Sequence, residues 1–402
     1  MAQQATTATA NGPIYGGAAN GAITNTHGSA DERRGLYLKL FSGEMFKGFQ
    51  HNTIARDLVT RRTLKNGKSL QFIYTGRTKS EFHIPGQSIL GNNEKSPPVA
   101  QKTITVDDLL ISSAFVYELD ETLAHYDLRG EISRKIGYAL AENYDRRIFR
   151  AITKAARQPS PVTMSGFVEP GGSVIKVGAG NSTTAADAYD AGKLVDAFYD
   201  AAATLDEKGV SGDGRVAVIN PRQYYALIQD VNNNGLINRD ETGSVLQSGN
   251  GIIEIAGIKI YKSMNIPFFG KFGTKTDMNP RASNDNEGTF VGEAMGDQDA
   301  AANGGTPAGG QKTTNNYGTA AKFANSCGLI FQKEACGVVE AIGPSVQVTS
   351  GDISVVYQGD VILGRLAMGA DFLNPAAAVE LVAGIDVSSN FNNTAVSNAS
   401  FT

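Results

Sequence analysis

The chain has 402 residues, of which 41% are hydrophobic, enough for one large domain or two ordinary ones around a sizeable core. Only 19% are charged and the formal net charge is −4. A nucleic-acid reader carries an excess of Lys and Arg, so this chain meets DNA as a wall if at all, and its sparse charge suits a surface buried against copies of itself.

The N-terminal stretch MAQQATTATANG has neither the basic segment nor the apolar run of a secretory signal. No stretch approaches the ~20 apolar residues of a membrane helix. Residues 1–30 are rich in Ala, Thr, Gly and Asn and read as a flexible arm. Leu36-Tyr37-Leu38-Lys39-Leu40-Phe41, with Phe46 and Phe49, then predicts a short helix with an apolar stripe that needs a docking surface.

Residues 61–102 predict an extended hairpin, with strands at Leu70–Tyr74 and Glu81–Ile84 and turns at Asn66-Gly67 and Pro85-Gly86. The strongest helix is predicted from about Asp120 to Arg157. Leu128, Ile132, Ile136, Leu140, Tyr144, Ile148 and Ile152 recur every fourth residue, so the apolar stripe winds slowly around a long rod and its partners change along its length. A second helix is expected over 185–208, with Leu194, Val195, Phe198, Ala202 and Leu205 on one face and Gly209 as its stop. A strand at Arg215–Ile219 follows, then a helix opened by Asn220-Pro221, Asn as cap and Pro at the first position. Ile252–Ile255 and Ile258–Tyr261 flank Ala256-Gly257 as a hairpin. Residues 270–320 read as a long irregular segment. Strands are predicted at Gly328–Phe331, Val338–Ala341, Val346–Val348, Ile353–Tyr357, Val361–Met368 and Ala377–Leu381, before a Ser- and Asn-rich tail over 384–402.

Chemical motifs are few. The four histidines are scattered, and neither a G-x-S-x-G nor an H-E-x-x-H string is present, so no catalytic, cofactor or metal residue is expected. Cys327 and Cys336 lack histidine partners and read as small buried residues in a reducing compartment. Asn66-Gly67-Lys68-Ser69 resembles the end of a phosphate loop, but Arg62 stands where its first Gly belongs, so it reads as a turn. Gly178-Ala179-Gly180 lacks the third glycine of a dinucleotide fingerprint and reads as loop. The sharpest motif is Asp230–Glu241, which matches the calcium-loop pattern, with Asp230, Asn232, Asn234, Asn238 and Glu241 as oxygen donors and Gly235 at the turn. Only two of those side chains are charged and no helix follows. A plain turn is the leading reading and calcium the lesser one.

The order of arm, basic hairpin, long helix, helix-rich middle and returning strands resembles the tailed-phage capsid fold of the Hong Kong 97 type. Closer strings are similar to the major capsid proteins of T-seven-like podoviruses and their marine cyanophage relatives. They are Leu38-Lys39-Leu40-Phe41-Ser42-Gly43-Glu44, Gly67–Phe72, Gly76-Arg77-Thr78, His125–Arg129, Leu366-Ala367-Met368-Gly369 and Asn374-Pro375, collinear from about Gly35 to Val382. The resemblance implies an α+β fold with an N-terminal arm (1–60), an extended loop (61–104), a peripheral domain with the spine helix (105–160), an axial domain (161–342), peripheral return strands (343–374), and an axial strand with the C-terminal tail (375–402).

The resemblance also implies a non-enzymatic subunit of an icosahedral head around double-stranded DNA. Its copies form hexamers and pentamers, assembled in the host cytoplasm with a scaffolding protein and a portal protein. The shell expands as DNA enters and lines it without sequence-specific contact, and no membrane is involved. It assigns no crosslinking residue here. A nanocompartment shell of the same fold is the alternative, and a calcium-dependent adhesin a remote third reading. Leu38, Phe41 and Phe46 on the arm are candidates for the subunit interface. So are Arg77 and Lys79 on the loop, and Glu118 and Glu121 near the start of the spine. Residues 61–102 hold eight basic side chains against two acidic, while 107–131 hold seven acidic against one basic. The expectation is that this complementarity steers the loop onto a neighbour's spine.

Overall fold

The computed structural model describes residues 54–78, 80, 82–86, 88, 97, 99–107, 109–118, 128–159, 163–164, 167–178, 185–229, 253–267, 315, 317, 326–348 and 358–383. The expected arm helix, the Asp230–Glu241 loop, the Ile353–Tyr357 strand and the C-terminal tail lie outside these residues. The chain divides into two compact units. One comprises Met1–His51, Leu109–Ala141 and Ile342–Ala367, the other Asn52–Asp108, Glu142–Ala341 and Met368–Thr402.

In chain order the described elements are α1 (Ala55–Leu58), β1 (Thr60–Thr63), β2 (Ser69–Thr75), β3 (Val99–Thr105), β4 (Leu110–Tyr117) and the spine helix α2 (Leu128–Ala156). Two short strands, β5 (Thr163–Met164) and β6 (Phe167–Val168), and then β7 (Ser173–Lys176) lead to a 3-10 turn over Ala185–Tyr189. Next come α3 (Ala191–Glu207), β8 (Arg215–Ile219), α4 (Pro221–Gln229), β9 (Ile253–Ile255) and β10 (Ile258–Lys262). The chain returns through β11 (Ser326–Gln332), β12 (Cys336–Val348), β13 (Gly359–Phe372) and β14 (Ala378–Val382).

The smaller unit is a helix laid on a sheet. β4 runs antiparallel to the first half of β13, from Tyr117 opposite Gly359 to Leu110 opposite Leu366. Val116, Ile136 and Ile362 form its buried centre, with Ala114 and Ile132 packed against it. The approach of helix to strand is close at Gly364. A Cβ there would lie 2.4 Å from Ile136 Cγ2 and 2.8 Å from Leu140 Cδ1, so only glycine admits this spacing.

The larger unit is built on a six-stranded sheet of order β7-β14-β11-β8-β10-β9. Every residue of β8 and β14 is buried. α3 has Leu194, Val195, Ala197, Phe198, Ala201, Ala202 and Leu205 on its buried face, containing the five residues predicted from spacing. The helix begins later than expected. Asp190 caps it by accepting from the Gly192 and Lys193 amides, and residues 185–189 form the tighter turn instead. Asn220 caps α4 as anticipated, its side chain accepting from the Arg222 amide. Ala256 and Gly257, both at positive φ, turn β9 into β10.

Two strand expectations need correction. Phe82–Gly86 carry no strand, and β2 pairs instead with β3, Ser69 opposite Thr105 through Thr75 opposite Val99. The two expected strands Val338–Ala341 and Val346–Val348 are one continuous β12 running through Pro344. β1 pairs with Gly337–Glu340, so Pro344 lies beyond that pairing, where β1 asks no N–H of it.

Candidate subunit interface

The β2–β3 hairpin is two-faced. Leu70, Phe72 and Tyr74 are half-buried and Ile104 is fully buried. On the opposite face Ile73 is 74% exposed and Val99 and Gln101 are exposed beside it. Beyond β2, Phe82 is 100% exposed and Ile84 is exposed too. A two-stranded hairpin alone is marginal in water. This one is held along its inner face by ionic contacts within its own unit.

At its middle, Lys102 Nζ lies 2.7 Å from Asp371 Oδ2 and 3.7 Å from the centroid of the Phe372 ring. The other carboxylate oxygen of Asp371 meets Lys154 Nζ of α2 at 3.0 Å. Burial holds the Lys154 ammonium below its usual pKa, opposed by Asp371. At the hairpin's foot, Asp107 is buried. Its Oδ1 accepts from the Asn315 amide and side chain, both at 3.0 Å, and its Oδ2 from the Tyr317 hydroxyl at 2.6 Å. Arg147 Nη1 stands 3.5 Å from the same carboxylate. Tyr317 in turn accepts from the Ala370 amide at 3.1 Å, and Asn315 donates to the Thr105 carbonyl at 2.7 Å. A Cβ on Gly369 would fall 1.9 Å from that carbonyl. Asn315 and Tyr317, from the segment read as irregular, therefore clip β13 to the foot of the hairpin.

The second half of α2 continues this frame. Asp145, Arg146, Arg147, Arg150 and Lys154, with Arg157 just past the helix end, are all buried. Asp145 accepts from the Ile54 and Ala55 amides that open α1, at 2.9 and 3.1 Å, and its pKa is pushed up to about 6 by burial, against those hydrogen bonds. Arg146 pairs with Glu142 one turn earlier. Arg157 forks onto Glu380 of β14 through two 2.5 Å contacts, the side chains 1% and 0% exposed. Glu340 of β12 gathers Arg56, Arg61 and the Tyr144 hydroxyl. Burial raises the Glu340 pKa, and the Arg56 and Tyr144 hydrogen bonds outweigh it, leaving the group below its usual value.

Of the seven interface candidates, the described residues include Arg77 and Glu118. Glu118 is exposed, and its amide donates to the Gln358 carbonyl at 3.0 Å. Arg77 is turned toward its own unit, where its amide donates to Glu169 Oε1 at 2.5 Å, its Nε lies 3.7 Å from Oε2, and its Nη2 donates to the Lys208 carbonyl. Leu38, Phe41, Phe46, Lys79 and Glu121 lie outside the described residues. The two opposed charge runs are partly consumed inside the chain: Arg61, Arg77 and Lys102 face Glu340, Glu169 and Asp371, while Asp107 and Glu131 are buried. Among the described residues no group of three or more His, Cys, Asp or Glu could hold a metal ion, and no helix is long and apolar enough to cross a membrane.

The sequence matches the Gp10A-like family, described as major capsid protein, over residues 71–382. It is 25% identical over 373 residues to the major capsid protein of Enterobacteria phage T3, covering 92% of this chain and 97% of that one. The capsid structure of the cyanophage P-SCSP1u superposes with a TM-score of 0.64 at 30% identity, covering 91% of this chain and 97% of that one. The mature capsid of bacteriophage PhiM1, at 14% identity and a TM-score of 0.56 over 88% of this chain and 94% of that one, shares the fold.

Proposed function

The chain belongs to the Gp10A-like family of major capsid proteins, and we propose that its arm and extended loop join one subunit to the next. It is a structural subunit of a tailed-phage head, a component of the virion whose copies form the icosahedral shell. The family match disfavours the nanocompartment alternative.

The finer reading follows the domain plan implied by the resemblance. The axial domain surrounds local five- and six-fold axes as pentamers and hexamers, and the peripheral domain carries the spine. Assembly proceeds in the host cytoplasm around a scaffolding protein and a portal, and DNA entry expands the shell and lines it without base contacts. Leu38, Phe41 and Phe46 on the arm, Lys79 on the loop, and Glu118 and Glu121 near the spine remain the proposed contacts with neighbours. One observation carries the loop's role. A monomer has no use for a hairpin whose outer face and tip expose Ile73, Val99, Phe82 and Ile84, because such patches mark interaction surfaces. A second copy of the chain is the partner that family membership supplies.

The test is assembly of the purified chain with its scaffolding protein, read by sedimentation and negative-stain microscopy. Closed shells are expected from the native chain. Ile73→Asp with Phe82→Asp should abolish them and leave far-ultraviolet circular dichroism intact. A chain that stays monomeric with scaffold at every salt concentration refutes the assembly reading. Shells formed normally by the double variant refute the role of the loop.

A further inference from the structure

We propose that Arg77 works inside its own subunit, as a positioning residue that pins the root of the extended loop to Glu169 and to the C-terminal end of α3, and so sets the direction in which the loop tip leaves. This rests on the capsid reading and places Arg77 inside its own subunit, apart from the expected interface contacts.

Glu169 is 4% exposed. The hydrogen bonds and ion pair described for it come from the hairpin: the Tyr74 hydroxyl at 3.4 Å, the Arg77 amide at 2.5 Å and Arg77 Nε at 3.7 Å. A buried carboxylate that loses its partners keeps its desolvation cost. Arg77 is itself largely exposed, and an exposed pair alone holds little. The restoring force lies with Glu169, which becomes a buried unpaired charge whenever the loop root lifts.

The second anchor is built for a guanidinium. α3 ends where Gly209, at φ +71°, lets its amide donate to the Asp206 carbonyl and the Val210 amide donate to Leu205. The Lys208 carbonyl is left facing out and accepts from Arg77 Nη2, at the negative end of the helix dipole. A Cβ on residue 209 would stand 3.1 Å from that same Nη2, so glycine clears the seat. Lys208 Nζ donates to the Gly171 carbonyl at 2.7 Å, and burial lowers its pKa to about 8. That bond ties the segment just after Glu169 to the end of α3, so the two acceptors for Arg77 are held as one site. The base of the hairpin up to Arg77 is thus seated on its own subunit, and the exposed Phe82 and Ile84 lie beyond the pin.

The test uses the full-length chain with Arg77→Ala, Arg77→Lys and Glu169→Gln. Amide hydrogen exchange of Tyr74–Arg77, measured before scaffold is added, should quicken about tenfold in Arg77→Ala and Glu169→Gln, the scale of one lost net hydrogen bond. Arg77→Lys, which keeps the ion pair, should fall between them and the native chain. Shells from the two stronger variants should spread in diameter, with Arg77→Lys narrowing the spread. Native exchange together with slowed assembly would make Arg77 an interface residue and overturn the proposal. Native exchange with uniform shells would overturn it as well. Shell formation by the native chain reports on the capsid reading separately, since exchange is read on unassembled protein.

Discussion

Glu380→Gln tests the ionic frame most directly. Glu380 sits in β14, the strand between β7 and β11, and its carboxylate receives the Arg157 guanidinium through two 2.5 Å contacts with both side chains essentially inaccessible to water. Neutralising one partner leaves the other charge buried, which costs about 3–5 kcal/mol. That is a large part of the roughly 5–15 kcal/mol that holds a typical domain folded. Arg157→Met with Glu380→Leu removes both charges and keeps the volume, and such exchanges run from neutral to about 4 kcal/mol stabilising. The assay is urea unfolding of the unassembled chain followed by circular dichroism. The single variant should unfold at markedly lower urea, and the double variant should regain most or all of the loss. A single variant within about 0.5 kcal/mol of the native chain, the scatter of ordinary surface substitutions, would show that the pair does not organise this core.

Gly364→Ala drives a methyl into Ile136 and Leu140 and should cost about 1–3 kcal/mol as overpacking. Gly343→Ala, with nothing within 4 Å, should leave the melting temperature unchanged. Ile136→Ala should cost about 2–5 kcal/mol, lowering soluble yield more than it perturbs shell geometry. Asp145 has its folded pKa raised to about 6, above its unfolded value of 3.8. The folded state therefore holds this proton more tightly, and its contribution to stability rises as pH falls from about 6 toward 4. Asp145→Asn should remove that component from a pH series of urea midpoints. Charge steering is best tested away from the pinned Arg77. Lys79→Glu with Lys95→Glu should slow assembly and flatten its salt dependence, and Glu118→Lys with Glu121→Lys should partly restore it. An unchanged rate in light scattering would leave the loop contact apolar.

Local signals carried far in this chain. The Asn220-Pro221 start of α4, the Ala256-Gly257 turn and the apolar face of α3 each depend on a few neighbouring residues, and each folds as its spacing and caps imply. The stripe on α2 follows its spacing too, with Ile136, Leu140, Tyr144, Ile148 and Ile152 buried. The hairpin partner failed because two candidate strands lay in one stretch. Glu81–Ile84 runs straight into Pro85-Gly86, while Val99–Thr105 offers seven residues without either breaker and so forms the full ladder with β2.

What spacing could not show is the other side of the spine. Arg146, Arg147, Arg150, Lys154 and Arg157 stand off the apolar stripe, and in an amphipathic helix such residues face water. Here they are buried, and three of them meet partners from other segments: Asp107 from the hairpin foot for Arg147, Asp371 from β13 for Lys154, and Glu380 from β14 for Arg157. No local pattern encodes partners so far along the chain, Glu380 standing 223 residues from Arg157. The same logic explains Asn315 and Tyr317, which sit in low-complexity sequence yet fill the acceptors of Asp107. A buried charge tolerates few alternative arrangements, since every misplacement strands an ion without a partner. A helix held on several faces by such pairs has its rotation and register set by ionic contacts as well as by apolar packing. Apolar side chains of similar size would repack at small cost, whereas these pairs tie the hairpin foot, β13 and β14 to fixed points along one rod.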